Sequence, residues 1–130
     1  MAYYFDSSAL VKLIVNEDET AALKTWISAE DRRPITCDVA RAEVTRAVRR
    51  AAPGRVGEVR GVLNVMDILE LRSEQFDVAG SIEPPTLRTV DAIHLAAALD
   101  LGDDLEGFVT YDSRLAEACE AVGIQVFAPH

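Results

Sequence analysis

The chain has 130 residues, 49% of them hydrophobic, and a formal net charge of −9; that is enough for one domain, residues 1–130, with a substantial core, and nothing suggests a second. With seven glycines and five prolines there is no low-complexity tract, no apolar run approaches the roughly 20 residues needed to span a bilayer, and the N-terminus has no basic stretch leading into an apolar one, so the expected compartment is the cytoplasm. Cys37 and Cys119 lie far apart without neighbouring cysteine or histidine at ligand spacing, which argues against zinc and against a disulfide framework and predicts two buried thiols.

In chain order, the first predicted element is a strand over Tyr3 to Phe5, followed by a helix after Asp6. Ser7 or Ser8 is the expected cap, with Leu10, Val11, Leu13 and Ile14 at three-to-four spacing. A second helix is expected from about Thr20 to Ser28, carrying Leu23, Trp26 and Ile27, and then a strand over Pro34 to Cys37. Asp38 is the expected cap of a helix reaching Ala52, where Pro53 and Gly54 end it. Another helix covers about Arg55 to Asp67, and a strand runs from Ile68 to Leu71. Ser73 is expected to cap a short helix that stops before Pro84 and Pro85. A helix follows from near Thr89 to Gly102, a strand over Phe108 to Tyr111, a helix after Asp112 ending at Gly123, and a last strand over Ile124 to Phe127. Short β-branched and aromatic runs alternating with helical segments imply an α/β fold, a parallel sheet covered by helices on both faces.

Four acids, Asp6, Glu43, Asp91 and Asp112, stand at helix starts or at strand-to-helix junctions. In a parallel α/β fold such junctions converge on one rim of the sheet. Asp6 and Asp112, taken singly, could simply cap helices. Asp91 is harder to explain that way. Its helix, Thr89 to Leu101, is apolar on nearly every face, and an unpaired carboxylate in such surroundings costs several kcal/mol, against roughly 0.3 to 1 kcal/mol recovered from the helix dipole. It therefore needs a partner, a proton or a metal. His94, three residues on, lies on nearly the same face; it is read as a hydrogen-bonded packing residue, with a supporting role toward the acids as the second possibility.

Glu43 shares a helix border with basic residues. At about 100° per residue, Arg50 falls within about 20° of Glu43 and Arg46 about 60° to the side, next to the apolar face of Ala40, Val44, Ala47, Val48 and Ala51. The acidic total argues against a nucleic-acid enzyme, yet residues 41–60 hold six arginines against two glutamates. On the functional reading Glu43 ligates metal while Arg46, Arg49 and Arg50 hold phosphates of an incoming strand. Hard divalent cations prefer oxygen ligands, and crowded carboxylates repel unless a cation sits among them. One or two such ions could activate water and stabilise a leaving oxygen, which is phosphodiester hydrolysis. Thr110 and Ser8 flank the same rim and could orient water or a ligand, or cap helices.

Four segments, Tyr4-Phe-Asp-Ser-Ser-Ala-Leu-Val-Lys-Leu13, Arg41-Ala-Glu-Val44, Leu87-Arg-Thr-Val-Asp-Ala-Ile-His-Leu-Ala96 and Val109-Thr-Tyr-Asp-Ser-Arg-Leu115, resemble the four acidic motifs of PIN-domain nucleases, and in particular the VapC-like toxins of bacterial toxin–antitoxin pairs. The resemblance covers the whole chain in the family's order. It implies a three-layer fold with a mainly parallel five-stranded sheet, Mg²⁺ or Mn²⁺ bound by Asp6, Glu43, Asp91 and Asp112, and endonucleolytic cleavage of RNA. It also implies a cognate antitoxin protein that buries the active site, and self-association into dimers. Thr110 matches the family's hydroxyl position two residues before the last acid. Leu10, Leu13, Ile14 and Trp26 are candidates for an apolar groove taking an antitoxin helix, with core packing as the competing fate. The alternative function is a PIN-fold module that binds RNA or protein with little or no cleavage.

Overall fold

The computed structural model describes Met1–His130. Five strands, β1 (Ala2–Phe5), β2 (Arg33–Cys37), β3 (Asp67–Leu69), β4 (Leu105–Val109) and β5 (Val126–Phe127), form one sheet in the order β3-β2-β1-β4-β5. All four strand pairings are parallel. The helices are α1 (Ser7–Lys12), α2 (Thr20–Ala29), α3 (Val39–Ala51), α4 (Val59–Asn64), α5 (Ser73–Gly80), α6 (Thr89–Leu99) and α7 (Ser113–Ala121). No helix is long and apolar enough to cross a membrane.

Alternation along the central strand divides the core in two. Ala2 and Tyr4 point to one face, where Leu95 and Ala96 of α6 and Leu115 and Ala118 of α7 pack. Tyr3 and Phe5 point to the other, against Leu10 of α1, Leu23 of α2, Val44 and Val48 of α3 and Leu63 of α4. Side chains two residues apart on a strand share a face, so a run buried on both sides, such as Ala2–Phe5, requires helices above and below. Three layers result.

The strand order determines where a site can form. From β1 the chain winds outward through β2 to β3, then returns to place β4 on the other side of β1. The loops leaving β1 and β4 consequently diverge to opposite faces, opening a crevice beyond the carboxyl ends of these two strands. Asp6 directly follows β1, and Asp112 lies three residues after β4.

Several local expectations are corrected. The cap of α1 is Asp6 rather than Ser7 or Ser8, because Asp6 holds the extended backbone that lets its carboxylate accept the Ala9 N–H. Asp38 takes the cap position of α3 without capping it; its backbone is already helical, and its carboxylate accepts the Leu71 N–H at 3.4 Å instead. Ser73 is the first residue of α5 and not its cap; Gln75 reaches back to the Arg72 N–H at 2.6 Å. The expected helix from Arg55 to Asp67 is a 3-10 segment, Pro53–Glu58, followed by the short α4. Leu10 and Ile14 are core residues, and Trp26 packs edge-on against Tyr3 at 5.1 Å and tilted against Phe127 at 5.3 Å. Core packing, the competing fate, is that of Leu10 and Ile14, while Leu13 and Trp26 are partly buried against the same core. Both cysteines are free and buried, as expected.

Candidate active site

Asp6 is almost wholly buried where β1 passes into α1. Ser8 Oγ donates to its Oδ1 at 2.7 Å and Thr110 Oγ1 donates to its Oδ2 at 2.6 Å. Both predicted hydroxyls therefore serve the same carboxylate. They also join the two strand ends, since Ser8 Oγ accepts the Tyr111 N–H and Thr110 Oγ1 accepts the Asp112 N–H, each at 3.0 Å. Burial raises the Asp6 carboxyl above the ordinary aspartate range, and the two hydroxyl bonds pull it part of the way back. Asp112 caps α7, its Oδ1 accepting the Leu115 N–H at 3.0 Å.

Asp91 lies in the first turn of α6 and is buried. Its carboxyl is raised by burial and pulled down by Arg88. Arg88 Nε donates to Asp91 Oδ2 at 3.0 Å and its terminal nitrogen donates to Asp112 Oδ2 at 3.2 Å. The partner that the apolar helix demanded is thus a guanidinium. No role for Arg88 was read from the sequence; its spacing three residues ahead of Asp91 was the available signal.

Glu43 comes from α3 and is only half-buried, yet its Oε1 accepts Ser7 Oγ and His94 Nε2, each at 2.5 Å. The other ring nitrogen of His94 meets Tyr4 Oη at 2.7 Å. His94 is a packing residue and a support for an acid at once. Burial alone would lower its pKa, but contacts with Cys37 and Glu43 outweigh that and lift it to about 10. A protonated ring donates from both nitrogens, which suits Glu43 on one side and Tyr4 on the other. Burial acts to raise the Glu43 carboxyl, and the bonds from His94 and Ser7 bring it below the usual glutamate value.

The four acids line one open cleft of about 560 Å³, together with Ser7, Ser8, Arg46, Arg50, Arg88 and His94. Arg46 and Arg50 stand on its α3 wall, as the helical angles predicted. Arg49 does not line it, for six residues from Glu43 amount to about 120° around the helix. That expectation is corrected. The donor set is chemically suited to a hard divalent cation: all four groups are carboxylates, and Glu43 Oε2 and Asp91 Oδ1 make no hydrogen bond within the chain. No three ligating side chains converge on one point, so holding an ion would require side-chain rotation, and Arg88 stands between Asp91 and Asp112.

The PIN domain family matches residues 3–121. Ribonuclease VapC47 of Mycobacterium tuberculosis is 42% identical over 130 residues, covering 97% of this chain and 96% of that protein. Ribonuclease VapC46 of the same species is 41% identical over 128 residues, with 98% of each covered. Among solved structures, M. tuberculosis VapC20, described as a sarcin-ricin loop cleaving toxin, superposes with a TM-score of 0.79 at 15% identity, over 98% of this chain and 99% of that one. A toxin–antitoxin complex from Klebsiella pneumoniae gives 0.73 at 18% identity, over 98% of each chain. At those identities the structures speak for the fold; the family match and the two close relatives, which run nearly end to end, show that this chain belongs to the PIN domain family, with the VapC ribonucleases as its relatives.

Proposed function

We propose that this protein is an endoribonuclease dependent on Mg²⁺ or Mn²⁺, acting as the toxin of a toxin–antitoxin pair and inhibited by a cognate antitoxin. The observation that carries the proposal is the meeting of Asp6, Glu43, Asp91 and Asp112, from four separate segments, on one cleft with Arg46 and Arg50 on its wall. Relatives named as ribonucleases at about 41% identity over the full length support RNA as the substrate, and solved toxin–antitoxin complexes of the same fold support an antitoxin partner. Self-association into a dimer belongs to the same proposal.

In this reading Asp6, Glu43, Asp91 and Asp112 hold the cation. When bound, it supplies an activated water and charge stabilisation for the departing oxygen. The chain's own residues do the rest. Thr110 and Ser8 fix both oxygens of Asp6 and so orient the carboxylate at the base of the cleft. His94 and Ser7 anchor one oxygen of Glu43 and leave the other toward the cleft. Arg46 and Arg50 bind phosphates of the strand and set its register without reading its bases.

The test uses purified, partner-free protein and a labelled RNA. Cleavage should require Mg²⁺ or Mn²⁺, stop on chelation, stop again when a cognate antitoxin is added, and leave 5′-phosphate and 3′-hydroxyl ends. Asp91→Asn should lower the rate at least about a hundredfold. Equal cleavage by that variant would refute the assignment of the site, and binding of RNA without cleavage would favour the non-catalytic module.

A further inference from the structure

The oxygen of Asp112 that does not cap α7 is the one that Arg88 holds. Asp112 Oδ1 is committed to the Leu115 N–H as the cap of α7, and Oδ2 accepts from the Arg88 guanidinium at 3.2 Å. Asp91 differs, for Arg88 takes its Oδ2 at 3.0 Å and leaves Oδ1 without a partner. A cation could reach Asp91 through Oδ1 with Arg88 in place, whereas at Asp112 it meets one oxygen used by the cap of α7 and the other held by a positively charged guanidinium, the one partner that repels it. Ligation through Oδ1 would compete with that cap. Moving the arginine is easier, because its side chain is 70% exposed, so water can take over its donors.

We propose that Arg88 is an internal counter-ion that competes with the divalent cation and gates its access to Asp112. This rests on the metal-site reading above. In the free protein the guanidinium neutralises part of the repulsion between Asp91 and Asp112, two carboxylates that would otherwise resist sharing a cleft. On loading, the two guanidinium bonds would break, Asp112 would be freed as a ligand, and Arg88 would move toward solvent at the mouth of the cleft. A guanidinium is suited to this because its planar fork spans two carboxylates at once.

The test compares Mn²⁺ binding, followed by the electron paramagnetic resonance of free Mn²⁺, in the full-length protein and in the Arg88→Ala and Arg46→Ala variants. Arg46 lines the same cleft and forms no ion pair with the four acids, so its removal controls for loss of positive charge alone. Arg88→Ala should bind Mn²⁺ about fivefold more tightly, or roughly 1 kcal/mol, the scale of breaking an exposed pair, and Arg46→Ala should change affinity less than about twofold. Independently, the Arg88 Nε–H proton seen by nitrogen-15 NMR should exchange with water faster once Mg²⁺ is added. Unchanged affinity in Arg88→Ala, an equal gain in Arg46→Ala, or a Nε–H exchange rate indifferent to Mg²⁺ would each overturn the role of Arg88. Absence of Mn²⁺ binding in every form would overturn the metal-site reading itself, and this inference with it.

Discussion

Replacing Thr110 by valine removes one hydroxyl and almost nothing else. Thr110 is buried, and its Oγ1 both donates to Asp6 Oδ2 at 2.6 Å and accepts the Asp112 N–H at 3.0 Å. A hydrogen bond to a charged group contributes about 1.5 to 3 kcal/mol, and the Asp112 N–H, at a half-exposed position, can turn to water. Thr110→Val should therefore cost about 2 kcal/mol at neutral pH in the presence of a chelator, or roughly 7 °C in Tm for a chain of this length. The pH dependence follows from Asp6. Burial places its folded pKa above the unfolded value, so protonation favours the folded state, and the stability this contributes is present below the unfolded pKa and lost as pH rises through the folded one. The lost bond favoured the charged carboxylate, so valine raises the folded pKa further. The deficit of the variant should be largest above the folded pKa of Asp6 and shrink as the pH falls below it, where Asp6 is protonated in both proteins. A urea-unfolding series from neutral to acidic pH measures it. A deficit below about 0.5 kcal/mol at neutral pH, or one that does not change with pH, would refute the claim that Thr110 stabilises a buried charged Asp6.

Arg46→Ala and Arg50→Ala should each weaken RNA binding and reduce the slope of log affinity against log salt by about one, whereas Arg49→Ala should leave both unchanged; fluorescence anisotropy with the cleavage-impaired Asp91→Asn protein reads this out. Gly107→Ala would bring a methyl group into the Phe127 ring and within 3.3 Å of the Gln125 carbonyl oxygen. That should destabilise the chain by about 1 to 3 kcal/mol in urea unfolding unless Phe127 moves aside, and an unchanged midpoint would show that the β4–β5 edge yields freely.

Much of the fold was legible because its signals are local. Short strands alternating with amphipathic segments specify a parallel, helix-covered sheet, and an acid at the start of an apolar helix announces a carboxylate in need of compensation, as Asp91 did. Angular spacing on α3 placed Arg46 and Arg50 beside Glu43, and the same arithmetic, applied to Arg49, would have turned it away. Caps were read less well: Ser7, Ser8, Asp38 and Ser73 all had suitable chemistry, but capping depends on the backbone angle at one residue, and that angle is decided by what the preceding strand or loop docks against.

The sequence by itself determined the layered α/β architecture, the four acids and the two hydroxyls near them, because each is carried by a pattern within a few residues. Only the tertiary structure decided how those groups are compensated. Thr110 reaches Asp6 across 104 positions, His94 reaches Glu43 across 51, and Arg88 reaches Asp112 across 24. The first of these exists because β4 returns to lie beside β1. The others depend on α6 packing over the same end of the sheet, and no local periodicity encodes a partner brought in by another element.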